Sequence, residues 1–200
     1  MNALSFPSYT SFDGHRRIAT GSLQTAALAV KHALDAGAAG PVLIFDDATG
    51  RSIDVDTRGS DEEVIANLGG AASADTGASQ PDAPAPGGPK GRGRPKLGVV
   101  SREVTLLPRH WDWLAGQPGG ASVALRKLVQ EAQRANSGKD KVRKAQERAY
   151  NFMLAIAGDL PGFEEATRAL FANEVAKFQD LIAKWPCDIR DHATRLALDE

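Results

Sequence analysis

The chain has 200 residues, 42% of them hydrophobic and 24% charged, and a net charge of −1. That length suffices for one large or two small domains with an ordinary core, no apolar run reaches a membrane span, and Met1–Tyr9 lacks the charge and apolar block of a secretory signal. A single cysteine, Cys187, excludes an intrachain disulfide and a cysteine-based metal site, and a cytoplasmic location is the simplest expectation.

Tyr9–Phe12 reads as a short strand, Asp13-Gly14 as a turn and His15–Thr20 as the returning strand. Ser22 is placed to cap a helix in which Leu23, Ala26, Ala27, Val30, Ala33 and Leu34 share a face, with Asp35-Ala-Gly37 ending it. Pro41–Phe45 is a continuous apolar run and reads as a buried strand. Asp46–Gly50 is turn-like, and Arg51–Asp56 alternates as a half-buried strand does. Ser60 with Glu63 three residues on is a capping box for a short helix ending near Leu68. The expected unit over residues 1–69 is ββαββα.

Gly69–Pro89 is Ala, Gly, Pro, Ser and Asp with almost no bulky apolar residue, so residues 70–89 are expected to be a disordered linker. Leu97–Leu107 has strand character. Pro108 suits the first turn of a helix through Leu114, which Gly116–Gly120 breaks. Ser122 then caps a second helix whose apolar side carries Ala121, Ala124, Leu125, Leu128, Val129 and Ala132, with Arg126, Lys127, Gln130 and Arg134 off it. Further helices are expected over Lys139–Ala157, from Asp159-Leu-Pro161 through Phe171, and over Val175–Ile182. Trp185-Pro186 interrupts, and a last helix covers Ile189–Leu198. The fold class is therefore α+β: a small ββαββα domain over 1–69, a flexible linker, and a mostly helical domain over 90–200 with one strand.

The net charge conceals a strong asymmetry. Residues 1–69 carry five Lys or Arg against nine Asp or Glu, and residues 151–200 the same. Residues 89–150 carry fourteen basic side chains against five acidic ones. A local excess of that size attracts polyanions by counterion release whatever the total charge. A solvated helical face, or a patch docking on the chain's own acidic ends, would produce the same count.

Arg92-Gly-Arg-Pro95, with Lys90 and Lys96 beside it, resembles the core of an AT-hook. Glycine lets the backbone lie deep in a narrow groove, the arginines follow the floor of an A·T-rich minor groove, and proline keeps the chain extended. Residues 99–134 resemble a ribbon-helix-helix unit, ending in the helix Ser122–Ala132. That resemblance implies a homodimer whose paired strands, Ser101–Leu107 here, enter the major groove, with a phosphate held at Gly120, Ala121 and Ser122. The family's register turns Leu107, Thr105 and Glu103 inward and Arg102, Val104 and Leu106 outward. The opposite phase buries Val104 and Leu106 and exposes Ser101, Glu103 and Thr105.

Across nearly the whole chain outside the linker, Phe12–Ile18, Pro41–Asp47, Gly93–Gly98, Leu107–Trp113 and Gly158–Ala166 resemble a bacterial family designated only as a domain of unknown function, DUF2239. The resemblance implies a bacterial, cytoplasmic origin and no activity.

Other constellations are sparse. Asp46, Asp47, Asp54 and Asp56 surround one turn but lack the spacing of a calcium loop, and read as a solvated acidic face. His15, His32, His110 and His192 have no ligand spacing. Cys187 reads as a buried or half-buried small residue. No cofactor, metal or enzymatic role is expected, and no small-molecule effector is identified. The functional expectation is DNA binding, transcriptional or nucleoid-associated, through Lys90, Arg92, Arg94, Lys96, Arg102, Arg109, Ser122, Arg126 and Lys127. The alternative is a protein-interaction or regulatory module with no nucleic-acid role.

Overall fold

In the computed structural model, which describes residues 8–38, 40–71, 100 and 102–198, the N-terminal part folds as its turn residues and alternation predict. β1 (Tyr9–Asp13) and β2 (Arg16–Gly21) form a hairpin, α1 (Leu23–Asp35) follows, then β3 (Val42–Asp46), β4 (Arg51–Ile53) and α2 (Asp61–Ala71). The predicted ββαββα order is the observed one, in an antiparallel sheet ordered β2-β1-β3-β4. Ser22 caps α1 by accepting from the Thr25 N–H at 3.2 Å. The Ser60–Glu63 capping box closes in both directions, at 2.7 and 3.3 Å.

The strands alternate between two covered faces. Val42 and Ile44 lie toward α1 with Ala26, Ala27, Val30 and Val64. Leu43 and Phe45, with Phe12, lie on the opposite face. Successive side chains of a strand point to opposite sides, so the uninterrupted apolar run of β3 reflects burial on both faces.

Five helices follow: α3 (Pro108–Ala115), α4 (Gly120–Ile156), α5 (Phe163–Phe171), α6 (Val175–Ile182) and α7 (Cys187–Leu198). No described helix is long and apolar enough to cross a membrane. Two expectations change. The helices expected from Ser122 and over Lys139–Ala157 are one helix of 37 residues. Asn136 and Ser137 do not break it, because their side chains hydrogen-bond back to the carbonyls of Ala132 (2.9 Å) and Arg134 (3.1 Å). The strand expected over Leu97–Leu107 is not seen in the single chain: residues 102–107 form no regular element. Leu97–Val99 and Ser101 lie outside the described residues, as do positions 72–96.

The chain divides into two compact units, residues 1–76 with 138–200, and residues 77–137. Within the first unit, Phe12 and Phe45 of the sheet pack with Phe152 and Met153 of α4, Phe178 of α6 and Ile189 of α7 in one cluster. Phe12, Phe45 and Phe152 meet at ring separations of 4.9–5.9 Å. The second face of a four-stranded sheet needs an apolar cover, and the C-terminal helices supply it.

A polar cluster sits inside this interface. The Asp47 carboxylate accepts from Arg195 Nη2 at 2.9 Å and from Thr10 Oγ1 at 3.0 Å. Arg195 Nη2 also lies 3.0 Å from His192 Nδ1. A guanidinium only donates, so Nδ1 must accept, and the His192 proton is on Nε2, 3.4 Å from Asp47 Oδ1. That separation is too long for a good hydrogen bond, and both atoms are otherwise without a hydrogen-bond partner. Burial, reinforced by the charges of Arg195 and Arg17, pushes the His192 pKa down to about 3. His192 is thus neutral in the folded chain.

Just after Asp47, Gly50 has φ +67°, and a Cβ there would lie 1.7 Å from the Arg148 carbonyl oxygen of α4. Asn151 Nδ2 donates to the Thr49 carbonyl at 2.9 Å, fixing the same approach.

Two outcomes follow from this interface. Gly50→Ala lowers unfolding free energy by about 2–4 kcal/mol in urea titrations, whereas Gly14→Ala, at φ +54° with nothing within 4 Å, costs only about 1 kcal/mol. Equal costs would deny the close approach. For His192, the unfolded chain takes up a proton below pH 6.5 that the folded chain refuses until about pH 3. Its contribution is therefore complete above pH 6.5 and is lost as pH falls toward 3. Relative to His192→Gln, the wild type loses about 1.4 kcal/mol of stability per pH unit in that window. Urea midpoints at several pH values check this, and parallel profiles would contradict it.

Candidate nucleic-acid interface

The described part of the second unit is Val100, residues 102–107, α3, the turn Gly116–Gly119 and α4 as far as Ser137. Pro108 begins α3, where its missing N–H is no loss, and the extended Leu107 precedes it. Leu107 O accepts from the His110 N–H at 2.8 Å. Gly119 and Gly120 reverse the chain at φ +85° and +76°, and a Cβ on Gly119 would press on Val123 at 3.2 Å. Leu114 on α3 and Ala124 on α4 are buried.

Of the sequence-derived candidates, Lys90, Arg92, Arg94 and Lys96 lie outside the described residues. The other five are all exposed. Arg102 precedes α3 and Arg109 is in its first turn. Ser122 lies in the first turn of α4, two residues inside the helix start and not at the cap position the sequence suggested. Arg126 folds back on it, donating to the Ser122 carbonyl at 3.0 Å. Lys127 adjoins Arg126. No other pair among the five is in hydrogen-bond contact.

None of Arg102, Arg109, Arg126 and Lys127 forms an ion pair with a described carboxylate. The basic residues further along α4 differ. Arg143 is bonded to Asp140 (3.3 Å) and Glu147 (3.1 Å), which hold its pKa above the usual value. Arg148 donates to the Leu196 carbonyl in α7. Part of the positive excess over residues 89–150 is thus engaged within the first unit.

Sequence reasoning left Arg134 and the glutamines beside it out of the site. Gln130, Gln133, Arg134 and Ser137 line a shallow groove on α4. They follow Arg126 at spacings of four, seven, eight and eleven residues, one side of a helix. That periodicity was the available signal. The start of α4 adds first-turn amides at Ala121 and Ser122, which no i−4 carbonyl of the helix can satisfy.

The remaining sequence candidates disperse. Asp46 accepts from the Ala48 amide and the Thr49 hydroxyl inside its own turn. Asp47 belongs to the Arg195 cluster. Asp56 is bonded to Arg58 at 2.8 Å, which lowers its pKa to about 2. His32 meets Asp61 at 2.9 Å. Among the described residues no group of three or more His, Cys, Asp or Glu is placed to hold a metal. Cys187 is exposed at the start of α7, not buried as expected, because its helix turns Ile189, His192 and Ala193 inward. A mainly apolar cleft of about 450 Å³ lies between α4, α5, α6 and α7, lined by Val142, Leu170, Val175, Phe178 and Leu198 among others.

The family match spans residues 8–197 and so takes in both units. The chain belongs to the DUF2239 family, described as an uncharacterized protein conserved in bacteria. The likenesses to an AT-hook and to a ribbon-helix-helix unit are no part of that description and rest on the residues alone. No curated protein and no solved structure matches the chain.

Proposed function

We propose that this DUF2239 chain is a cytoplasmic DNA-binding protein, transcriptional or nucleoid-associated, acting through the 90–96 arm and the α3–α4 hairpin. The observation that carries the reading is the exposure of Arg102, Arg109, Arg126 and Lys127 with no described carboxylate as ion-pair partner. Such cations are available to phosphates, each contact releasing about one counterion. Arg92 and Arg94 enter a minor groove, where an A·T-rich tract has its most negative potential. The first-turn amides at Ala121 and Ser122 receive a phosphate oxygen along the helix dipole. Arg134, Gln130 and Gln133 extend the polar side of α4 along the backbone of the duplex.

The protein-interaction alternative draws on exposed apolar side chains of the same unit, Trp111 and Val129 among them. It expects no duplex binding at low salt, so the two readings separate cleanly.

The test is a mobility shift with the full chain against A·T-rich and random duplexes over a salt series. Affinity falls linearly on a log–log plot. Arg92→Ala/Arg94→Ala and Arg126→Ala/Lys127→Ala each flatten the slope by about 2. The arm variant also erases the preference for the A·T-rich duplex. Absence of any shift at about 50 mM salt rejects the reading, since non-specific binding is strongest there.

A further inference from the structure

We propose that the exposed side of α3 formed by Arg109, His110 and Trp113 is a stacking platform for unpaired bases, so that the chain takes single-stranded nucleic acid there. The proposal deepens the nucleic-acid reading and rests on it for the phosphate contact of Arg109. The stacking is a separate contact that duplex binding does not need.

The chain has three tryptophans, and they stand in different surroundings. Trp185 is 4% exposed, and its indole N–H donates to the Pro161 carbonyl at 2.8 Å. Trp111 and Trp113, on the eight-residue α3, are 41% and 54% exposed. Neither indole makes a hydrogen bond or a ring contact with a described residue. Tryptophan is highly buried on average, so a ring more than half exposed with its N–H unpartnered marks a contact surface.

Helical spacing decides which neighbours share that surface. At about 100° per residue, Arg109 lies about 40° to one side of Trp113 and His110 about 60° to the other, whereas Asp112 is about 100° away and Trp111 about 160°. Arg109 and Trp113 are one turn apart, about 6 Å along the axis. All three side chains are exposed, and Arg109 has no described carboxylate as ion-pair partner. The next side chain along this side, Gln117, is tied to the backbone, its amide donating to the Trp113 carbonyl at 3.2 Å.

The chemistry of this side names its occupant. Guanidinium, imidazole and indole are all planar, and each stacks on a nucleobase. The exposed cations of the same unit, Arg102, Arg109, Arg126 and Lys127, complement a polyanion. A nucleic acid is the polyanion that also offers flat π-faces to planar groups. In a duplex those faces are covered by neighbouring base pairs and only base edges reach the grooves. In a single strand they are free. The indole therefore selects unpaired bases, and Arg109, one turn before it, meets a phosphate beside the stacked base.

Fluorescence anisotropy of a labelled oligothymidylate, an oligouridylate and an A·T-rich duplex, each titrated with the full chain at about 50 mM salt, tests this. The wild type binds at least one of the single strands, the tighter of the two telling DNA from RNA, and its tryptophan emission is quenched on binding. Trp113→Ala weakens that complex about 5- to 150-fold, the range for one stacked base, and leaves duplex affinity unchanged. Trp113→Phe, which keeps a ring, retains most of the single-strand affinity. Unchanged single-strand affinity in Trp113→Ala overturns the proposal, and so does an equal loss for single strand and duplex. Should Trp113→Ala fail to fold, the emission decides: the quench must disappear in Trp113→Phe and persist in Trp111→Phe, and the reverse overturns the proposal. A wild type that shifts the duplex but ignores both single strands overturns this proposal alone and leaves the face to a protein partner. Single-strand binding without a duplex shift rejects the duplex reading alone, and binding of neither rejects both.

Discussion

The turn Asp46–Gly50 is where the sheet, α4 and α7 are held together, and its geometry leaves little freedom to any of them. Asp46 closes the turn through the Ala48 amide and the Thr49 hydroxyl. Asp47 turns toward Arg195 and Thr10. Gly50, in the left-handed region, lets the backbone meet that of α4 with no room for a side chain. A connection between neighbouring strands thus contacts residues about a hundred or more positions away. Sliding α4 by one residue would carry Arg148 and Asn151 past this turn together and break the close approach and the Asn151–Thr49 hydrogen bond.

The polar cluster behind the turn gives the interface direction. Apolar surfaces such as Phe12, Phe45 and Phe152 attract without specifying register. A half-buried carboxylate with one guanidinium, one hydroxyl and a buried imidazole of fixed tautomer admits far fewer arrangements, since each partner has a fixed donor or acceptor role. The cost is visible in Asp47 Oδ1 and His192 Nε2, which face each other at a distance too long for a full hydrogen bond. The unit that holds this core is built from two distant segments of the chain, residues 1–76 and 138–200. The acidic stretches 1–69 and 151–200 belong to the core-forming unit, while Arg102, Arg109, Arg126 and Lys127 belong to the second unit. The basic stretch 89–150 crosses the boundary after Ser137, so that Arg143 and Arg148 belong to the core-forming unit.

Much of the fold was legible because it is decided locally. The capping box at Ser60–Glu63, the cap at Ser22, the Asp13-Gly14 reversal and Pro108 at a helix start each state a backbone requirement that a few residues satisfy alone. The continuity of α4 was not legible. Asn136-Ser137-Gly138 carries the composition of a break, and only the side chains' return to their own helix removes it. The candidate interface was half legible: Arg102, Arg109, Arg126 and Lys127 could be found by counting charge, but Arg134 required attention to helical spacing. Counting could not tell them from Arg143 and Arg148, which the fold engages with carboxylates and with a carbonyl of α7.

Sequence alone determined the ββαββα order, the α+β class, the membership in DUF2239 and the uneven distribution of charge. These follow from alternation, punctuation and side-chain identity, which act over a few residues. Tertiary structure decided that the sheet's second face is covered by helices from the far end of the chain, that His192 is a neutral core residue and Cys187 an exposed one, and that Gly50 touches α4. Each of these depends on which surfaces meet across a hundred or more residues, and apolar attraction is too indiscriminate for composition to reveal the pairing before the chain has closed on itself.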